Sequence, residues 1–315
     1  MSIEVISDML ASMIRIATPL VLMALGGLLC QRAGVFNIAL EGFSLMGAFA
    51  AIAFVQVSGG NVWLGFLGAI LAGALYSAIF ALFVTRFKAD NIIASIAMNM
   101  LAMGLTSYLL RALFDVQGRI APDQIDKLKP INIPVIKDIP ILNCLSGQSI
   151  ITYFTIIMVV AVYVVLFKTR TGLNICAVGE SVDAAMTAGV KPALVRWKVI
   201  LISGAFCGLA GAFLSTVTVS QFSEDMVQGR GFNAFTAMVF GNAHPMATAL
   251  VALLFGLADA IGIRIELSGL NLSPSVIKMF PFAFAIAALA ISSYTGKLKT
   301  KGVIGVKRKK ERVNG

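Results

Sequence analysis

The feature that most constrains this chain is the recurrence, from residue 12 to residue 294, of apolar runs about as long as a helix needs to cross a hydrocarbon core. Backbone amides find no water in lipid, so such runs must satisfy their own hydrogen bonds as helices. Run length and breakers place spans at 12–31, 35–57, 62–85, 92–113, 149–168, 197–217, a short one at 232–242, 246–262 and 274–294. Composition agrees, with 58% hydrophobic and 13% charged residues, where soluble domains carry roughly a quarter charged. The sequence predicts an all-α polytopic membrane protein of about 8–9 transmembrane helices, with residues 1–315 forming a single transmembrane domain.

The net charge of +10 raises nucleic acid as a partner, and its placement argues against that. Lys297, Lys299, Lys301, Lys307, Arg308, Lys309, Lys310 and Arg312 crowd the tail at 295–315; Lys168, Arg170, Lys191, Arg196 and Lys198 flank the loop 169–196; Arg86 and Lys88 mark another. Basic residues in short loops mark the cytoplasmic face, and a basic run after a last span contacts anionic lipid head groups. The expectation is therefore a cytoplasmic C-terminus, an external N-terminus, membrane lipid as a partner and no nucleic acid. Glu4 and Asp8 precede any Lys or Arg, so the first helix is expected to remain in the mature chain. The loop 114–148, with Pro122, Pro130, Pro134 and Pro140 among alternating Ile and Val, cannot be one helix. It is expected to be external and extended, either over the mouth of the protein or as a connector.

Catalytic chemistry finds little to stand on. There is no phosphate-binding loop, no His-Glu-x-x-His and no Gly-x-Ser-x-Gly elbow. One histidine, His244, and four scattered cysteines assemble neither a metal site nor a triad. The chain is expected to be no enzyme, to bind no metal or cofactor of its own, and to leave any ATP hydrolysis to another subunit.

Two stretches interrupt the simple spans. Residues 31–47 set Arg32, Asn37 and Glu41 with three glycines between apolar runs; residues 229–245 repeat the theme around a run too short to cross. Gly34-Val-Phe36-Asn37 echoes Gly231-Phe232-Asn233, and interrupted segments at corresponding places in two halves point to broken or re-entrant helices, here in two pseudo-repeats, around a central pathway. Polar groups inside spans face a bundle interior or a wet cavity; the candidates are Asn37, Glu41, Asn99, Arg111, Asp259, Asn233 and Asn242. Asn37 and Asn99 either hydrogen-bond between helices or line a solute path. Glu41 either pairs with Arg32 or caps exposed helix amides. Phe36 and Phe232, beside asparagines, either pack in the bundle or against lipid, as phenylalanines in spans commonly do, or offer a face that would suit a sugar ring or a nucleobase. Ser203 to Gly211 is a small-residue face for close helix approach.

In the loop 169–196, Gly179-Glu180-Ser181-Val-Asp183-Ala184-Ala185-Met-Thr-Ala-Gly189 reads as a short helix between glycines with Ser181 as N-cap. Held by spans on both flanks, it can seat in a partner and act as a lever.

Taken with Arg32 to Gly42, Asn91 to Asn99 with Gly104-Leu-Thr106, and Ser203 to Gly211, this segment makes the chain resemble the branched-chain amino acid, ribose and nucleoside family of ABC importer permeases, in its nucleoside or simple-sugar branch. The resemblance implies that Gly179 to Gly189 form the coupling helix for a cytoplasmic ABC ATPase, which binds the ATP. It implies that the first interrupted region, with Phe36, Asn37 and Glu41, lines the route, to which Asn99, Phe232 and Asn233 are the further candidates. It also implies a second homologous permease in a heterodimer, an extracytoplasmic binding protein or lipoprotein, and a bacterial plasma membrane. Family members often carry Asn where Ser181 stands. Ribose or galactose-type sugars and branched-chain amino acids are the alternative solutes, and an ion-gradient carrier using Glu41 or Asp259 is the alternative mechanism.

Overall fold

In a computed structural model, residues 3–122, 124–126, 128, 130–131, 146–267 and 279 are described. The expected last span at 274–294, apart from residue 279, the prolines Pro134 and Pro140 and the basic tail at 295–315 lie outside these residues. The chain divides into two compact units, Met1–Leu257 and Ala258–Gly315, and both interrupted segments belong to the first.

Helices follow the apolar runs. They are α1 (Ile3–Arg32), α2 (Leu40–Val57), α3 (Val62–Thr85), α4 (Asn91–Phe114), α5 (Ile150–Lys168), the short α6 (Arg170–Glu180) and α7 (Val182–Thr187), α8 (Pro192–Ala212), α9 (Arg230–Phe240) and α10 (Pro245–Leu267). Among the described residues, α1 to α5, α8 and α10 are long and apolar enough to span a bilayer; α9, at 11 residues, covers about 16 Å and does not. Two two-residue strands, β1 (Arg119–Ile120) and β2 (Phe222–Ser223), pair antiparallel. The Pro-rich loop thus contributes an extended segment, which clips onto the connection that leads into α9.

Several helices start where a side chain replaces their missing acceptors. Asn61 accepts from the amides of Trp63 and Leu64, Asp90 from Ile92 and Ile93, Ser149 from Ile151, and Thr169 from Gly172. Pro192 opens α8, where a missing N–H costs nothing. Past Ala212, α8 continues as wider π-helical turns over Phe213–Thr218, taking the predicted 197–217 span in at both ends.

Helices α1, α2, α3 and α8 form the centre, and glycines let them meet. A methyl on Gly208 of α8 would collide with the Ala69 carbonyl of α3; one on Gly47 of α2 would strike the Gly208 backbone; one on Gly211 would strike the Ser44 carbonyl. In lipid, where apolar burial alone drives little, such close backbone approach supplies the packing. Helices α4 and α5 are peripheral, turning Ile93, Met100, Tyr108, Ile157 and Val160 outward, as a lipid-facing or partner-facing helix should.

Candidate functional site

The chain breaks between α1 and α2. Gly34 sits at φ +73°, and residues 33–39 run without regular structure until α2 begins at Leu40. Asn37 organises this break. Its Oδ1 accepts from the Ala39 amide at 2.9 Å, and its Nδ2 faces Ser203 Oγ at 3.4 Å and Cys30 Sγ at 3.8 Å. It is 1% exposed, so in this conformation its amide is spent on the protein. Of the two roles open from sequence, interhelical hydrogen bonding is the one the geometry displays, and Asn37 offers a solute no surface.

Asn99 on α4 closes the break from the other side. Its Oδ1 accepts from the Gly42 amide at 2.8 Å, and its Nδ2 donates to the Ile38 carbonyl at 3.2 Å. Ser95, one turn earlier, accepts from the Ile38 amide at 3.1 Å. Peptide groups that a continuous helix would have paired are thus satisfied by α4 side chains. Tyr76 of α3 fixes α4 in turn, donating to the Met98 carbonyl at 2.6 Å. Ser95 and Tyr76 are not recognisable from sequence, because an isolated hydroxyl in an apolar span gives no hint of its partner.

Glu41 does not pair with Arg32. Its carboxylate accepts from the Gly229 amide and faces that of Phe232, so it caps the N-terminus of α9, where a negative charge suits the helix dipole. Capping is one of the two roles expected of it, although it falls on the neighbouring broken segment and not on its own helix. The Arg32 guanidinium goes to the Ala243 and Asn242 carbonyls and lies over the Phe167 ring. His244 lies against the Tyr163 and Phe167 rings, centroids 5.6 and 5.3 Å away.

The two broken segments therefore lie against each other. Phe36 meets Phe235 edge-on at 4.9 Å, and Phe232 tilts over Phe235 at 6.4 Å. Phe232 is 50% exposed, and Phe36 and Asn233 are half-buried. Despite the sequence echo, Asn37 and Asn233 differ: one is enclosed and the other half-buried.

The segment Gly179–Gly189 departs from the single helix expected. Gly179 and Glu180 end α6, Ser181 stands extended at φ −154°, and α7 starts after it with the Ser181 hydroxyl accepting from Ala184. Ser181 acts as the predicted N-cap, and an N-cap has non-helical backbone angles, which is why it divides the segment. Gly189, at φ +80°, ends the element. Ala185 is its buried anchor, while Glu180, Asp183, Ala184 and Met186 face outward. A methyl on Gly179 would collide with the Arg32 carbonyl, and Gly34 lies against Gly179. Arg196 donates to the Ala33 carbonyl at 3.3 Å. The helix pair thus touches the α1–α2 break directly.

A helical bundle with two interrupted segments packed on each other and an ordered helix pair outside the spans has the build of a membrane permease. The chain belongs to the family described as branched-chain amino acid transport system / permease component, whose model matches residues 9–289. It is 33% identical to the guanosine ABC transporter permease protein NupQ of Bacillus subtilis, over 98% of this chain and 99% of that one. It is 31% identical to the nucleoside ABC transporter permease protein NupC of Lactococcus lactis, over 98% and 99%. Identity is also 31% to the glucose ABC transporter permease protein TsgB13 of Haloferax volcanii, over 80% of this chain and 68% of that one.

Proposed function

We propose that this chain is a membrane-spanning subunit of an ATP-driven importer that carries nucleosides. The observation carrying the proposal is the end-to-end likeness to two permeases named for guanosine and nucleosides. The half-exposed Phe232 beside Asn233 supports it, because a flat ring with a neighbouring amide offers a nucleobase both a stacking face and hydrogen bonds. Phe36 backs that surface through Phe235; Asn37, Asn99 and Glu41 hold its shape.

In this reading α6 and α7 face the cytoplasm, as their flanking lysines and arginines favour, and are received by a separate ATPase. Exposed Leu173 and Met186 supply apolar contact, with Glu180 and Asp183 as the polar rim. A second permease completes the path, an extracytoplasmic binding protein delivers the solute, and the C-terminus is cytoplasmic. Alternating access then follows from movement of the helix pair against the α1–α2 break.

Uptake of labelled guanosine in cells carrying the chain with its partners tests the proposal. Competition by other nucleosides but not by ribose, galactose, glucose or branched-chain amino acids is expected, as is dependence on the ATPase. Competition by glucose in preference to nucleosides would establish the sugar reading that the TsgB13 likeness favours. Uptake that persists without the ATPase and collapses with the ion gradient would overturn the ATP-driven mechanism.

A further inference from the structure

We propose that Arg32 tethers the short helix α9 to the helix pair α6–α7, so that α9 and residues 32–41 move as one body during transport. The inference rests on the permease reading and assigns it a moving part.

Residues 32–41 run antiparallel beside residues 229–243, attached at three points in reversed order. Arg32 Nε donates to the Ala243 carbonyl at 2.8 Å, with Nη2 3.4 Å from the Asn242 carbonyl. In the middle, the Phe36 ring stands edge-on to Phe235 at 4.9 Å. At the far end Glu41 accepts from the Gly229 amide, and Gly231 comes so close to the Glu41 backbone that it has no room for a side chain. One ten-residue stretch therefore places a carboxylate at the positive end of α9 and a guanidinium at its negative end, the arrangement that a helix dipole favours at both termini.

Both ends of α9 carry left-handed backbone. Gly229 stands at φ +80°, and Asn242 and Ala243 both lie in the left-handed region at φ 51° and 48°, a conformation uncommon for residues other than glycine. Those two strained residues present the carbonyls that Arg32 grips, so the guanidinium holds the turn as well as the helix. The peptide of Arg32, meanwhile, is the one against which Gly179 of α6 is pressed, and Arg196 holds the next carbonyl. A displacement of α6–α7 therefore meets the Arg32 main chain directly, and the Arg32 side chain carries it to the C-terminal turn of α9, while Phe36 and Glu41 hold the rest of the helix to the same stretch. Arg32 is a positioning residue here: it is given no contact with solute.

The test uses the complete transporter in proteoliposomes, with Cys144 and Cys176 changed to serine and Val239→Cys, at an outward-facing α9 position, as reporter. Maleimide labelling of that cysteine, ATP hydrolysis and guanosine uptake are followed in parallel, with and without trapping by ATP and vanadate. ATP-dependent uptake by the Arg32-containing protein is established first, and its absence would sink the permease reading itself. Given that uptake, the labelling rate is expected to differ at least about fivefold between the two states. Arg32→Ala is expected to erase that difference and to cut uptake per ATP hydrolysed about tenfold, while hydrolysis stays within about twofold. Arg32→Lys, which keeps the charge but not the two-pronged grip, is expected to recover part of both, and it carries the test by the same criteria where the alanine variant does not assemble. The proposal is overturned by a Val239 reporter that labels alike in both states, by an Arg32→Ala protein with uptake per ATP unchanged, or by uptake and hydrolysis falling together.

Discussion

Replacing Gly208 with alanine should damage the protein more than any gain in helix propensity repays. A Cβ there would overlap the Ala69 carbonyl oxygen and lie 3.4 Å from Gly73 Cα, while Gly47 of α2 already packs on the Gly208 backbone from another side. The obstacle is main chain in a central helix and cannot rotate away, so α8 must shift against α2 and α3, and overpacking of this kind costs about 1–3 kcal/mol. Gly104 on α4 is the internal control: nothing lies within 4 Å of the Cβ it lacks, so alanine there gains roughly 0.5–1 kcal/mol from lost unfolded-state freedom. At about 2–4 °C per kcal/mol, the unfolding midpoint should fall by about 2–12 °C for Gly208→Ala and rise by a few degrees for Gly104→Ala. Cys30 and Cys207 are buried, so a thiol-reactive dye reads unfolding in detergent once Cys144 and Cys176 are changed to serine. Equal midpoints for the two variants would refute the claim that close backbone approach holds the centre.

Asn99→Ala strands the Gly42 amide and the Ile38 carbonyl at about 1–3 kcal/mol each; the same dye assay should show a lower midpoint, and uptake should fall with it. Phe232→Ala removes the proposed stacking face, worth about 1–3 kcal/mol, so KM for guanosine should rise roughly 5- to 150-fold with Phe232→Trp near normal; an unchanged KM would remove Phe232 from the path. Ser181→Ala deletes the cap of a six-residue helix at about 1 kcal/mol, which should weaken co-purification with the ATPase roughly fivefold, whereas Ser181→Asp, still an N-cap, should not.

Spans α2 to α5 are legible in the sequence because lipid demands long apolar runs, and the run at 62–85 is matched by α3 to the residue. The ends of α1 and α8 are less so: the helices extend back to Ile3 and Pro192 through charged residues that a hydropathy reading excludes. Both interrupted segments are visible as glycines and polar groups in apolar surroundings. Their mutual packing is not, because a sequence shows that Glu41 needs a partner and not that the partner is the Gly229 amide, 188 positions away. Ser181 is legible as a cap, yet its consequence, two helices in place of one, depends on extended backbone at the capping position. Asn37 and Asn233, similar on paper, diverge because only Asn37 lies beside Ser203 and Cys30.

The proposed mechanism requires the α6–α7 pair to be the surface on which an ATPase acts. The most direct measurement places a single cysteine at Asp183 and labels it with a membrane-impermeant maleimide, in intact cells and in inverted vesicles, with and without the ATPase subunit. Labelling confined to inverted vesicles and suppressed when the ATPase is present is the predicted result. Labelling from the outside of intact cells, or labelling from the inside that the ATPase leaves unchanged, would contradict it.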